Sequence, residues 1–410
     1  MTNIYLGINK KGIIHFSDLN KSMKFFIENK FNSSSKKCIW NIFSLFDKSN
    51  INDIYVFYFD IPLNSNNDND NEIYKLFSKH KMVYVSEIMK FVDRDETFRL
   101  LKYTKGSNKN YADKNYLSMC KDILERGNIK DDRTGTGTFS LFGKTLRFDL
   151  SNDKIPILTT KRVPFKTCLK ELLWFLRGDT DNKILQKEGV HIWDKNSSRE
   201  FLDSRNLNYP EGVVGPLYGW SMRHFGKEYN PKLANSTNNC EEIYNEGGFD
   251  QLEYIVKELK ENPHSRRILM SYWNPCVLDN IPISWCHVLV QFYVEEIDKI
   301  KYLSCQFYQR SQDVFLGGPF NILSYSILTH LIAKKTGMVA KELIMNIGDA
   351  HIYKNHSRQV LEQLKRTGRI SAHILISDNV IKKDWSQLTV SDFNIIGYYP
   401  HDAIKGEMSA

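Results

Sequence analysis

The stretch "ISWCHVLVQFYVEEIDKIKYLSCQFYQRSQD", residues 283 to 313, constrains this chain more than any other. Two apolar runs rich in Val, Leu, Phe and Tyr flank the charged segment "EEIDKIK", the pattern of two long strands folded back on one another. A hairpin of this kind needs a core, and 410 residues at 41% hydrophobic and 25% charged supply one, with length for two or more domains. Antiparallel pairing about a turn near Asp298 sets Cys286 opposite Arg310. Cross-strand neighbours stand about 5 Å apart at their β-carbons, close enough for a guanidinium to favour a thiolate. A slip of one residue would turn the two side chains to opposite faces. The pattern therefore leaves two readings of Cys286: an activated nucleophile, or a small hydrophobe at the edge of a core, the usual fate of a free cysteine.

Elsewhere the chain alternates between periods. Helices are predicted in "YLSMCKDILERG", in "TCLKELLWFLRG" with Leu169, Leu172, Leu173 and Leu176 on one face, and in "NILSYSILTHLIAKKTG"; strands are predicted in "SLFGKTLRFDL" and "RRILMSYW". No internal repeat is visible, and the mixture predicts an α+β architecture. Two polar stretches interrupt it: "NSNNDNDNE", residues 64 to 72, reads as a loop, and "KYTKGSNKNYADKN" separates regions of different texture. The expected organisation is an N-terminal accessory region at 1–101, a linker at 102–115 and a catalytic domain at 116–410. Upstream of the linker lie strand-like runs, "NIYLGI" and "DIYVFYF", and an amphipathic segment around Met23 to Phe26.

The formal net charge of +8 is spread without a run of five basic residues, which favours small anionic ligands over DNA. Seven cysteines, an odd number without a CxxC pair, fit reduced thiols inside a cell rather than a disulfide framework or a zinc site. The N-terminal "MTNIYLGINKKG" has no basic segment leading into a long apolar one, and no apolar stretch reaches membrane-spanning length. A soluble, cytoplasmic protein is expected.

Several blocks together resemble a known family. "DDRTGTGTFSLFG", "KELLWFLRGDT", "HSRRILMSYWNP", "WCHVLVQFYV", "CQFYQRSQDVFLGGPFN" and "GDAHIYKNHSRQ" look like thymidylate synthase, in the family's order and spacing from about residue 113 to the end. "IWDKNSSREFLDS" is similar to its eukaryotic branch. The resemblance implies a homodimer with a mixed β-sheet at the subunit interface, which converts dUMP and 5,10-methylenetetrahydrofolate into dTMP and dihydrofolate without a metal and without NADPH.

Residue by residue, the resemblance implies Cys286 as the nucleophile and Glu171 as the carboxyl that organises water and relays protons. Tyr218 and His287 match residues near the reacting carbon, and Asp313 matches one that serves both chemistry and folate. Arg133, Arg266, Arg267 and Arg310 match a phosphate clamp, with Arg266 and Arg267 reaching the other subunit's site; fork-shaped guanidiniums suit a phosphate dianion. Ser311 adds a hydroxyl, His351 and Tyr353 meet the ribose, and Gln309 and Asn321 fall at nucleotide-contacting positions. An amide at 321 offers uracil both a donor and an acceptor, whereas the related deoxycytidylate hydroxymethylases carry Asp there. Asn321 also reads as a helix N-cap after Pro319. Ile192, Trp193, Asn196, Leu316 and Gly317 match folate contacts, and Ala410 ends a tail, "IKGEMSA", similar to the family's "IKMEMAV", whose terminal carboxylate closes over the ligands.

The chain departs from the family at several positions. Trp285 stands where Pro usually precedes the nucleophile, Val213 where Asp is usual, and Ser221-Met222 where Gln-Trp is usual, while Gln312 and Gly318 replace a small and an aliphatic residue. The bulk of Trp285 either packs away from the pocket or crowds Cys286. Upstream, "NIYLGINKKGIIHFSDLNKSMKFFIENK" faintly resembles the opening of dihydrofolate reductase. Ser22 falls where that enzyme has its acidic residue, and no glycine-rich loop follows "DIYVFYF". A degenerate or unrelated accessory domain without reductase activity is expected. Two rivals accompany the leading reading: a pyrimidine hydroxymethylase, distinguishable by product mass, and an inactive RNA-binding or scaffolding relative, which would form no covalent complex with 5-fluoro-dUMP.

Overall fold

The structure, a computed structural model, describes residues 4–9, 12–16, 53–59, 82–93, 96–105, 110–132, 135–231 and 248–408. The chain divides into two units, one of residues 1–110 with 369–371, the other of 111–368 with 372–410. The first contains β1 (Ile4–Asn9), β2 (Gly12–Phe16), β3 (Asp53–Phe59), β4 (Met82–Asp93) and β5 (Glu96–Lys105). These strands form one sheet in the order β2-β1-β3-β5-β4, with β1 parallel to β3 and the other pairs antiparallel. Ser22 and the segment around Met23 to Phe26 lie outside the described residues.

The second unit opens with α1 (Tyr111–Arg126), followed by β6 (Asn128–Lys130), β7 (Thr138–Asp149), β8 (Lys154–Ile155) and α2 (Phe165–Leu176). Short helices α3 (Asn182–Lys187), α4 (Arg199–Ser204) and α5 (Tyr218–Arg223) lead to α6 (Gln251–Glu261), β9 (Leu269–Ser271), β10 (His287–Ile297) and β11 (Ile300–Asp313). The chain ends with α7 (Gly317–Thr336), β12 (Val339–Tyr353), α8 (Ser357–Leu364), β13 (Ala372–Ile376) and β14 (Phe393–Ile396). The architecture is α+β, with a six-stranded mixed sheet in the order β6-β7-β12-β11-β10-β9 and a three-stranded sheet β14-β13-β8. Among the described residues no helix is long and apolar enough to cross a membrane.

The expected linker at 102–115 is not one continuous connection. Its first residues complete β5, where Lys102 pairs with Tyr55, and its last begin α1. Asp113 is buried there, its carboxylate accepting hydrogen bonds from the backbone and hydroxyl of both Thr159 and Thr160 at 2.5–3.1 Å. A polar composition marks solvent only when the polar groups lack protein partners, and these have them.

Alternation of side chains fixes the large sheet. Along β11, Leu303, Cys305, Phe307 and Gln309 are buried, while Gln306 and Tyr308 face outward. The outer face also carries Tyr293. The inner face is covered by α7, whose 20 residues are apolar on all sides and mostly buried. This helix forms the crossover that the parallel pairing of β11 with β12 requires. It ends at Gly337, φ 71°, a left-handed cap for which the "KKTG" ending is suited.

The hairpin register differs from a regular one. Asp298 and Lys299 occupy the two turn positions with φ 50° and 66°, the type I′ geometry that matches strand twist. Ile297 therefore pairs with Ile300, one residue off the expected register, and so do all pairs up to Leu289↔Tyr308. An irregularity between His287 and Leu289 then shifts the ladder by one, so that His287 faces Gln309 and the Arg310 N–H donates to the Cys286 carbonyl at 2.9 Å. Without that bulge, Cys286 would lie beside Ser311. Bulges re-aim side chains in this way at functional ends of sheets.

Candidate functional site

Cys286, partly buried, sits where the bulged end of β10 meets the end of β11. Its N–H donates to the Tyr218 hydroxyl at 2.8 Å, and the His287 N–H approaches the same oxygen at 3.5 Å. Burial and the neighbouring Cys286 push the Tyr218 phenol well above its ordinary pKa, so it stays protonated. Arg310 fixes the preceding chain: its Nε donates to the Trp285 carbonyl at 2.8 Å and its Nη2 to the Ser284 carbonyl at 3.0 Å. The arginine expected as a phosphate ligand thus also holds the backbone that presents the thiol.

Trp285 packs into the core. Its side chain is 0% exposed and its ring meets Trp273 edge-on at 6.3 Å, with the indole N–H lacking a hydrogen-bond partner among the described residues. Where a proline would stiffen the approach to Cys286, the chain uses buried bulk and two carbonyl contacts to Arg310.

A second wall comes from α2 and the segment after α3. The apolar face of α2 buries Leu169, Leu172, Leu173 and Trp174 around Glu171. Burial raises the Glu171 carboxyl to about 7, against the opposing effect of the Trp193 indole N–H, which donates to it at 2.8 Å. Trp193, Phe175 and Tyr218 form a contiguous ring cluster, with centroids 5.2–6.3 Å apart. Ile192, Trp193 and Asn196 remain partly open.

The third wall is the turn from β11 into α7. Asp313 accepts from the N–H groups of Phe315 and Leu316 at 3.0 and 3.1 Å, and buried Lys161 donates to the Phe315 carbonyl. Because α7 starts at Gly317, Asn321 lies inside the helix rather than at its cap, and Asp313 organises the turn before it. Tyr325, one turn after Asn321, places its hydroxyl 2.9 Å from His287 Nδ1. Gln312 and Gly318 are neighbours, the amide nitrogen 3.8 Å from where a Cβ at 318 would stand. At Gly317 the same nitrogen would be 3.2 Å from a Cβ. Val213 and Met222 are buried, and Met222 lines a small cavity behind Tyr218 and His287.

Gln309 is 0% exposed, with neither side-chain amide atom hydrogen-bonded among the described residues. On β12, His351 pairs with Asp349 at 3.3 Å and stands edge-on to Tyr353 at 5.2 Å. His356, just beyond, hydrogen-bonds the Glu407 carbonyl through Nε2 at 2.7 Å, which brings the tail to this side of the unit. Arg266 and Arg267 precede β9, are exposed, and make no side-chain hydrogen bond or ion pair among the described residues. Arg133 and Ala410 lie outside the described residues. No cluster of His, Cys, Asp or Glu suited to a metal occurs among the described residues. Tyr325 and Tyr272 were not legible as site residues from motifs; the four-residue spacing of Asn321 and Tyr325 on one helical face is the signal that points to Tyr325.

A cysteine whose backbone is held by a tyrosine hydroxyl and strand pairing, with an arginine clamping the chain before it and a buried carboxyl near neutrality joined to that tyrosine through Trp193, is the arrangement of a thiol enzyme. The chain belongs to the thymidylate synthase family, whose model, described as thymidylate synthase, matches residues 114–410. It is 43% identical over 313 residues to the bifunctional dihydrofolate reductase-thymidylate synthase of Leishmania major, covering 76% of this chain and 57% of that one. It is 46% identical over 305 residues to the thymidylate synthase of human herpesvirus 8, covering 74% and 86%, and 44% identical over 308 residues to that of Saccharomyces cerevisiae, covering 73% and 98%. The chain spans little more than half the length of the bifunctional relatives it matches.

Proposed function

We propose that this chain converts dUMP and 5,10-methylenetetrahydrofolate into dTMP and dihydrofolate, and that it does so as a homodimer. The observation that carries the reading is the setting of Cys286, bound through its backbone to Tyr218 and Arg310 at the end of a bulged hairpin. The Cys286 thiolate attacks C6 of the pyrimidine, which makes C5 an enolate carbon able to take up a one-carbon unit. The folate supplies both that carbon and, in the last step, the hydride, so no nicotinamide is needed. Loss of the C5 proton expels the folate nitrogen and leaves an exocyclic methylene, which the folate hydride reduces to the methyl group as Cys286 departs.

Glu171, near neutrality and bonded to Trp193, is suited to relay protons through water at the pyrimidine. Arg310, with Arg133 and Ser311, takes the phosphate, and His351 and Tyr353 take the ribose. Asn321 and Gln309 present amides to the base; the two unpaired amide atoms of Gln309 support a role completed only with nucleotide present. Ile192, Trp193, Asn196, Asp313, Leu316 and Gly317 line the folate side, and the tail ending at Ala410 closes it. The exposed Tyr293 and Tyr308 of the large sheet support that face as the subunit contact, and the unengaged Arg266 and Arg267 support their reach into a partner's site.

The test is an assay of the full chain with both substrates, reading dTMP by mass and dihydrofolate by absorbance. Cys286→Ser is expected to lower turnover by on the order of 10⁴-fold or more while dUMP still binds. Appreciable turnover by that variant would overturn covalent catalysis by Cys286, and hydroxymethyl-dUMP as product would replace the synthase reading. Mixing Cys286→Ser with an Arg266→Ala, Arg267→Ala double variant restores activity only if the arginines cross between subunits; a mixture as inactive as its components removes that part.

A further inference from the structure

From His401 to Met408 the chain forms neither helix nor strand, and side chains of the body hold it by its carbonyls. Arg366 Nη1 donates to the Asp402 carbonyl at 2.6 Å, and His356 Nε2 donates to that of Glu407 at 2.7 Å. Lys195 Nζ approaches the Met408 carbonyl only at 3.5 Å. His356 therefore makes the last short hydrogen bond to the tail among the described residues. A carbonyl can only accept, so Nε2 carries a proton. The imidazole is 0% exposed, with ring centroids 5.1 Å from Phe315 and 5.8 Å from Tyr353.

Gly406, one residue before this anchor, lies so close to the body that a Cβ would stand 2.8 Å from Phe315 Cε1 and 3.1 Å from His356 Nε2. Phe315 has no room to yield. It is 0% exposed, its N–H donates to the Asp313 carboxylate at 3.0 Å, and its carbonyl takes the Lys161 ammonium, which also lies 3.6 Å from the ring centroid. Only a residue without a Cβ lets the backbone approach this closely. The similar ending "IKMEMAV" has Met at this place, so the close approach belongs to a position where this chain departs from it. Phe315 thus serves both as the floor under the tail and as part of the turn that carries Asp313, Leu316 and Gly317.

We propose that His356 and Gly406 are positioning residues for the folate: His356 fixes the tail through the Glu407 carbonyl, and Gly406 lets it lie on Phe315, against the Asp313 turn. The inference rests on the reading of the tail as the cover of the folate side. Neither residue touches the reacting atoms. Their effect falls on how firmly the folate is held, and the attack of Cys286 on the pyrimidine does not depend on them.

Variants of the full chain test this. His356→Phe keeps a ring beside Phe315 and Tyr353 and removes the donor. It is expected to raise KM for methylenetetrahydrofolate about fivefold, the loss of about one net hydrogen bond, with a smaller change in kcat. Its affinity for dUMP, read by calorimetry without folate, stays that of the parent, and His356→Gln, which keeps an N–H donor, recovers most of the loss. Gly406→Ala changes no side chain of the body and is expected to raise the same KM at least as much. With both ligands bound, carboxypeptidase is expected to trim His356→Phe and Gly406→Ala faster than the parent. An unchanged folate KM in both would overturn the proposal, as would a rise matched by an equal loss of dUMP affinity; a change in one alone removes the other residue from the seat. Deleting Ser409 and Ala410 separates the two layers. If the deletion leaves folate KM alone, the reading of the tail as a cover fails, whereas if it raises KM and the two substitutions do not, only the seat fails.

Discussion

Histidines with lowered proton affinity at two places in the second unit do different work. His287 lies at the site; His330 on α7 and His373 on β13 lie under the three-stranded sheet. Burial lowers all three to about 4, so the shift alone does not mark function. The partners do. His330 Nε2 meets the Lys154 carbonyl at 2.9 Å and His373 Nδ1 meets the Asn152 carbonyl at 2.9 Å. A carbonyl can only accept, so each of these rings is locked as a donor that ties down the turn before β8. His287 instead meets a side chain, the Tyr325 hydroxyl at 2.9 Å, which can either donate or accept.

The largest way to break this comparison lies at Glu171, the carboxyl that shares the site with His287. Glu171→Gln keeps the shape and removes the proton, and is expected to lower kcat by about 10²–10⁴-fold, measured under saturating substrates. The stability effect has the opposite sign. Burial holds the folded carboxyl at about 7 against an ordinary value near 4.3, so the folded state binds the extra proton between those values. Its contribution is fully present below about 4.3 and is lost as pH rises through 7. Above neutrality the Gln variant is therefore expected to melt no lower than the parent while working far more slowly. A variant that keeps kcat within a few-fold would show Glu171 to be as structural as His330.

The site was legible in sequence to the extent that its chemistry sits on contiguous motifs. Cys286 at a strand mouth and Arg310 across from it are positions that hairpin pairing reaches, whereas periodicity reaches only the apolar helix of Glu171 and the family resemblance supplies its role. The pairing of Cys286 with Arg310 came out for a reason the pattern does not contain: the turn is displaced by half a residue and the bulge beside His287 displaces it back. Periodicity is blind to a bulge, because an inserted residue in an all-apolar run leaves the composition unchanged. Asn321 as a cap failed because the helix begins earlier, at Gly317, which leaves Asn321 in its interior. Asp113 fell within the expected linker because its partners Thr159 and Thr160 are remote in sequence. Trp285 posed two alternatives that only packing against Trp273 could decide.

The smaller effect belongs to the structural pair. With folded values about 4 and unfolded values near 6.5, the unfolded state of His330 and His373 binds more protons between those limits. Their stabilising contribution is fully present above about 6.5 and is lost as pH falls toward 4, an opposite slope to that of Glu171. Each can remove on the order of 3 kcal/mol across that window, and protonating one ring opposes the other, with Lys154 adding repulsion and Asp149 reducing it at His373. A His373→Gln variant keeps a donor for the Asn152 carbonyl. It is expected to lose about 1 kcal/mol at neutral pH, to flatten the fall in melting temperature between pH 6.5 and 4, and to leave kcat/KM unchanged where the parent is folded. Melting curves at stepped pH decide it. A slope equal to the parent's would mean that His373 is not among the groups that must charge on acid unfolding, and a drop in kcat/KM would mean that the carbonyl-bound histidines are not isolated from the site.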